Sequence, residues 1–390
     1  MYSLKTAPRV MFFFLACMTL FKPGNKFGIY DWLVKSDLTL RIGQAFFLTS
    51  LFGFFVFLAI AVLALRHDRH TLQLSRSGFL SVLAGSVFSL STNLVNFSEE
   101  PVFALKRISA ISLVLFSIWI YQTSMARLSS LKHIDTVDIL RPLEFSISLY
   151  LIVSFGLALY DPLTAFSPES QGSRMYALSD HPNFLGIIAS IGALLLANNL
   201  LSRWQKFSIL SDWRKLSKLA LLLISLWIIV QSGSRTSLLV FLLGFFILIP
   251  IRFSAIFAIP LVLPVLWLNI DSINTTDSGL RILSTENNRI FAWDSMISIF
   301  FSNPLFGVGM RSVGYSENSY LWIASSSGLL GLTGLIALLT LTILNKRNFQ
   351  ILAIVIPLYF GALFEGYFLD SFSIPLILFL LPIFSFSWKK

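Results

Sequence analysis

Long apolar runs separated by short polar connections organise this chain. Runs near the ~20 residues that cross a bilayer as a helix centre on residues 10–21, 42–65, 77–95, 108–125, 143–160, 184–201, 216–231, 236–250, 253–270, 319–344, 349–364 and 371–387. They predict an all-α polytopic membrane protein of about twelve transmembrane helices. The first run is the shortest, and its flanking Arg9 and Lys22 must snorkel for it to span. A signal peptide is the competing reading there, but no small-residue cleavage site precedes Lys22.

Most connections are short, the exceptions being 22–41, 126–142, 161–183, 202–215 and 271–318. Connections as long as the last are functional or disordered in compact proteins. This one is rich in apolar residues: Ile290, Trp293, Ile297 and Phe300 step by three, four and three, predicting a helix with one apolar face that lies on the membrane surface. Asn303-Pro304 ends it, and a turn at Gly307 and Gly309 leads to the next span. With no Pro/Ser/Gly-rich linker, low-complexity tract or internal repeat, residues 1–390 read as a single polytopic membrane domain.

Composition agrees: 56% of residues are hydrophobic and 12% charged, against roughly 25% charged in a soluble domain. The net charge of +10 is spread over short connections and forms no basic patch, so nucleic acid is not an expected partner. With the N-terminus inside, most of the 29 Lys and Arg fall in the inner connections. That count predicts both termini in the cytoplasm and the 271–318 loop on the outer face. Cys17 is the sole cysteine, which excludes an intramolecular disulfide. The four histidines lack metal-ligand spacing; His67 and His70 sit with Arg66 and Arg69 in an inner connector. Neither a metal nor a cofactor is expected.

Four outward clusters could carry chemistry. In Ser232-Gly233-Ser234-Arg235-Thr236-Ser237, small residues let a phosphate approach backbone N–H groups, Ser234 among them, and Arg235 can fork two hydrogen bonds to it; a hairpin with a snorkelling arginine is the plainer reading. On the surface helix, Arg289 can bind phosphate, while Trp293 can stack on a sugar or anchor the helix at the interface. Arg281 and Arg311 are further loop cations. In Tyr315-Ser316-Glu317-Asn318-Ser319-Tyr320, Glu317 is either a general base or an acid complementing a helix dipole. The fourth cluster runs from Arg174 to Asn183; His181 and Asn183 bind sugar hydroxyls or cap the helix that Pro182 begins. Glu365 and Asp370 are reserve carboxylates at the last outer turn.

The order of motifs resembles the bacterial O-antigen ligase and polymerase superfamily. The resemblance rests on Pro182-Asn183 before a span, the Ser232-x-Ser234-Arg235 turn, Arg289, Trp293, Asn303-Pro304, Gly307-x-Gly309, and Glu317-Asn318-x-Tyr320-Leu321 ahead of Gly328-Leu329-Leu330-Gly331-Leu332. It covers about 174–340; the first half matches only as membrane spans. The resemblance implies a C-type glycosyltransferase acting without metal on undecaprenyl-diphosphate-linked glycans at the periplasmic face of the inner membrane. Arg235 and Arg289 would bind the donor's diphosphate, with Arg311, Trp293, Asn318, Tyr320, Ser234, Arg174, His181 and Asn183 around the substrate. Partners would be the lipid-linked oligosaccharide donor, a glycan acceptor, the lipid bilayer and a chain-length regulator protein. Ligases of the family carry His-Asn where this chain has Glu317-Asn318, which favours a polymerase that builds O-antigen, capsule or exopolysaccharide. The alternatives are a ligase transferring the glycan to lipid A core and, in another class, a transporter of an anion or lipid-linked glycan. Transporters commonly show repeated halves and broken helices, and the sequence suggests neither.

Overall fold

A computed structural model describes residues 2–21, 35–67, 101–131, 136–167, 173–202, 213–249, 289–309, 313, 318–344, 349–366 and 373–380. The predicted spans at 77–95 and 253–270 lie outside these residues. The described chain is almost entirely helical; its only extended pairing is an isolated antiparallel bridge between Phe166 and Met175. The helices are α1 Tyr2–Leu20, α2 Asp37–His67, α3 Pro101–Leu131, α4 Thr136–Tyr160, α5 Pro162–Ala165, α6 Pro182–Ser202, α7 Trp213–Gln231, α8 Arg235–Leu248, α9 Arg289–Ser302, α10 Ser319–Leu344, α11 Phe349–Gly361 and α12 Ile374–Leu380. Among the described residues, 5 helices are long and apolar enough to cross a membrane: α2, α3, α4, α6 and α10. This is an all-α protein whose helices suit a bilayer.

The helices gather into two compact units. One comprises Ala16–Leu51 and Leu140–Thr285, and α6 is its inner helix. Leu185, Ile187, Ala189, Ile191 and Ala193 through Ala197 are all buried. Small residues let its neighbours come close. A Cβ on Gly192 would stand 2.8 Å from Ile147 and 2.9 Å from Leu151 of α4, and one on Gly186 would stand 2.5 Å from the hydroxyls of Ser232 and Ser237. The Ser232–Ser234 turn joins α7 to α8 at the end of this unit where residues 161–167 and 173–183 also lie. At the other end, the carboxylate of Glu144 on α4 lies 3.0 Å from the ammonium of Lys218 on α7 and accepts a 2.9 Å hydrogen bond from Asn199 on α6. A buried carboxylate so engaged locks three helices in register, because removing one partner strands the others' polar groups.

The other unit comprises Met1–Leu15, Phe52–Ile139 and Glu286–Lys390. Phe12 stacks on Tyr121 of α3 at 4.5 Å, and Phe14 covers Gly53 of α2. In α10 the structure departs from expectation. The apolar sequence predicts one continuous span, yet Gly328 has φ 63 and ψ −161, which breaks the helix. A break leaves backbone groups without helical partners, and in a bilayer these must be satisfied by protein. The chain after α9 supplies them: Leu329 N–H donates to the Pro304 carbonyl at 2.7 Å, while Val308 and Gly309 N–H donate to the carbonyls of Ser325 and Ser326, both at 3.0 Å. The two backbones touch so closely that a Cβ on Gly307 would lie 2.4 Å from Ser326 C, and one on Gly328 would lie 2.4 Å from Leu305 C.

Candidate functional site

Two of the four sequence clusters meet at one end of the unit that holds α4 to α8. Ser234 caps α8, its hydroxyl accepting from Ser237 N–H at 3.3 Å and from the Ser237 hydroxyl at 2.7 Å. His181 caps α6 in the same manner, Nδ1 accepting from Asn183 N–H at 3.1 Å. The two helix starts are joined by Arg174, which donates from Nε to the Ser232 carbonyl at 2.8 Å and from Nη2 to the Asn183 side-chain oxygen. Met175 N–H donates to Gln231 O at 2.9 Å, and the Ser237 hydroxyl to Asn183 O at 3.5 Å. Two positive helix-dipole ends therefore lie side by side, and Arg235, the first residue of α8, is exposed beside them. This arrangement suits an anion.

The loop carrying Arg174 is held in an uncommon conformation. Ser173 and Ala177 have φ 45 and 43, a left-handed region that costs residues with a Cβ about 1–3 kcal/mol each. Hydrogen bonds from Tyr176 and Ala177 N–H to the Ala165 carbonyl, at 3.0 and 3.1 Å, fix it there. Burial raises the Tyr176 phenol pKa, and the Asp161 charge adds to the shift. His181 is buried, and desolvation with help from Arg174 lowers its pKa to about 3. Its imidazole is therefore neutral at physiological pH, and here it serves as an acceptor.

The second candidate region lies in the unit holding α9 to α12. α9 begins at Arg289. Met296 is buried against α10, where Ser325 donates to its carbonyl at 2.7 Å; on the opposite side exposed Ile290, Phe291, Ile297 and Phe301 are interleaved with exposed Asp294, Ser295 and Ser298. Trp293 is half-buried, and its indole nitrogen, shielded from solvent, has no hydrogen-bond partner. Asn318 caps α10, its side-chain oxygen accepting from the N–H groups of Tyr320 and Leu321, both at 3.0 Å. The Tyr320 hydroxyl donates to the Tyr359 carbonyl at 2.8 Å, and the Ser319 hydroxyl to the Glu365 carbonyl. Those contacts give Asn318 and Tyr320 structural duties at the start of α10. Glu317, Arg311, Arg281, Asp370 and the side chain of Arg289 lie outside the described residues.

Three polar features escaped the sequence. The buried ammonium of Lys35 donates to the Leu178 carbonyl at 3.1 Å and to the carboxylate of Asp180. Buried Arg107 of α3 stacks 5.7 Å from the ring centre of Trp322 on α10. The third is the Glu144 cluster at the far end. Each joins segments distant in sequence, so neither spacing nor periodicity could reveal it. Among the described residues, no group of three or more His, Cys, Asp or Glu could hold a metal ion. No protein-family model and no curated protein matches the chain.

Proposed function

We propose that the chain is a membrane glycosyltransferase of about twelve spans that polymerises undecaprenyl-diphosphate-linked oligosaccharides into surface polysaccharide at the periplasmic face of the bacterial inner membrane. The observation that carries this reading is the convergence of the α6 and α8 starts, bridged by Arg174, with Arg235 exposed beside them. Such a terminus pair favours a diphosphate. The exposed Ile290, Ile297 and Phe301 on the helix that starts at Arg289 support a second amphipathic surface.

In the reaction, a hydroxyl oxygen of the acceptor glycan attacks the donor's anomeric carbon. The bond from that carbon to the diphosphate oxygen breaks, and undecaprenyl diphosphate leaves with the electron pair. Arg235 and Arg289 stabilise the departing charge, and Glu317 takes the hydroxyl proton; general-base help is worth about 10²–10⁴ in rate. A ligase would use the same donor with a lipid A core acceptor.

The break at Gly328 favours a second reading, a transporter, because broken helices commonly line transport sites. Here the freed groups of Ser325, Ser326 and Leu329 are bonded to residues 304–309, so they are committed to the fold, which supports the enzyme. The polysaccharide profile of a strain lacking the protein tests the assignment. Loss of long chains with single units retained indicates the polymerase, loss of every unit indicates the ligase, and an unchanged profile rejects both.

A further inference from the structure

The Lys35–Asp180 pair is unequal in its exposure: the lysine side chain is 3% exposed and the aspartate 42%. If the fold required only neutralisation of a buried ammonium, a buried carboxylate or an apolar residue in place of the lysine would serve as well. Instead the buried ammonium donates to the Leu178 carbonyl and to Asp180, whose carboxylate stands at the surface. Its position is fixed on both sides. Leu178 and Asp180 lie in the turn before α6, and just beyond them Asn183 donates its N–H to His181 Nδ1 and accepts on its side-chain oxygen from Arg174. A rigid carboxylate thus sits at the rim of the paired helix starts.

Chemistry restricts what it can receive there. A carboxylate accepts hydrogen bonds and repels phosphate, so beside a diphosphate site it faces the part of the ligand that offers donors. On a lipid-linked glycan those donors are sugar hydroxyls, which form short charge-assisted bonds to carboxylates. Resting on the function proposed above, we propose that Asp180, held by Lys35, binds a hydroxyl of the donor's sugar and so distinguishes glycosylated from bare lipid diphosphate.

The test measures binding of the host's extracted lipid-linked repeat unit and of bare undecaprenyl diphosphate to the full-length protein in nanodiscs. Asp180→Asn should weaken binding of the repeat unit ~10-fold or more and leave bare lipid diphosphate unchanged. Because Asp180→Asn strands a buried ammonium, the double variant Lys35→Gln/Asp180→Asn carries the decision: it should show the same selective loss. Wild-type affinity for the repeat unit in the double variant would mean that Asp180 only neutralises Lys35, and an equal loss for both ligands would place its effect on the phosphates or the fold; either overturns the inference. Failure of the wild-type protein to bind either lipid would instead overturn the functional reading beneath it.

Discussion

Arg174 donates to the Ser232 carbonyl at 2.8 Å, fastening the loop before α6 to the turn before α8. The candidate anion site depends on that link, because it brings two helix N-termini together. The two arginines of the site therefore divide their work: Arg174 builds it, and Arg235 faces outward from it.

That division predicts different phenotypes. Arg174→Ala leaves the Ser232 carbonyl and the Asn183 amide oxygen without their donor, and hydrogen bonds to charged groups contribute about 1.5–3 kcal/mol each. It should lower the thermal unfolding midpoint in detergent and activity together. Arg235→Ala should lower undecaprenyl diphosphate affinity with a much smaller change in midpoint. Equal midpoints for the two variants would argue against the structural role of Arg174.

The glycine contacts separate two kinds of substitution. Gly307→Ala and Gly328→Ala each force a Cβ to 2.4 Å from backbone atoms at a positive φ, so each should destabilise by more than ~3 kcal/mol and reduce the yield of folded protein. Gly156→Ala on α4 meets nothing within 4 Å and should be neutral or stabilising by up to about 1 kcal/mol. Thermal melts of the three variants check the ranking.

His181 gives stability a pH dependence. Its folded pKa, about 3, lies below the ordinary 6.5, so the unfolded chain binds the proton more readily. The contribution is complete above pH 6.5 and is lost as pH falls from there toward 3, at up to about 1.4 kcal/mol per pH unit. His181→Asn keeps an acceptor for the Asn183 N–H and should flatten that slope. A melt series from pH 7.5 to 4.5 that shows the same slope in both proteins would mean that His181 is not the source of the pH dependence.

Capping at α10 is separable from substrate contact. Asn318→Ala removes the acceptor for two N–H groups and should cost about 1 kcal/mol, whereas Asn318→Asp retains it. If Asn318 acts through the helix alone, the aspartate variant keeps the wild-type KM for the lipid-linked donor. A raised KM at unchanged midpoint would assign Asn318 to the sugar.

Local signals in the sequence identified the helical character of the chain and several helix starts among the described residues. Pro182 does begin a helix, His181 caps it, and the Ile290–Phe300 periodicity marks α9. What stayed hidden was non-local. Lys35 and Asp180 are 145 residues apart. Gly328 lies in an apolar stretch that reads as uninterrupted helix, and the break persists because residues 304–309 supply its hydrogen bonds. The expectation of unbroken helices failed for that reason, and with it one ground for setting a transporter aside.

Glycosyl transfer by this chain is read out in a purified reaction. Full-length protein in nanodiscs is incubated with undecaprenyl-diphosphate-linked repeat units, and glycan length and free undecaprenyl diphosphate are followed together. A polymerase yields longer lipid-linked glycans and one undecaprenyl diphosphate released per unit added, and both are lost in Glu317→Gln. Glycans of unchanged length with no released lipid diphosphate would contradict the polymerase reading, and full activity in Glu317→Gln would remove the base.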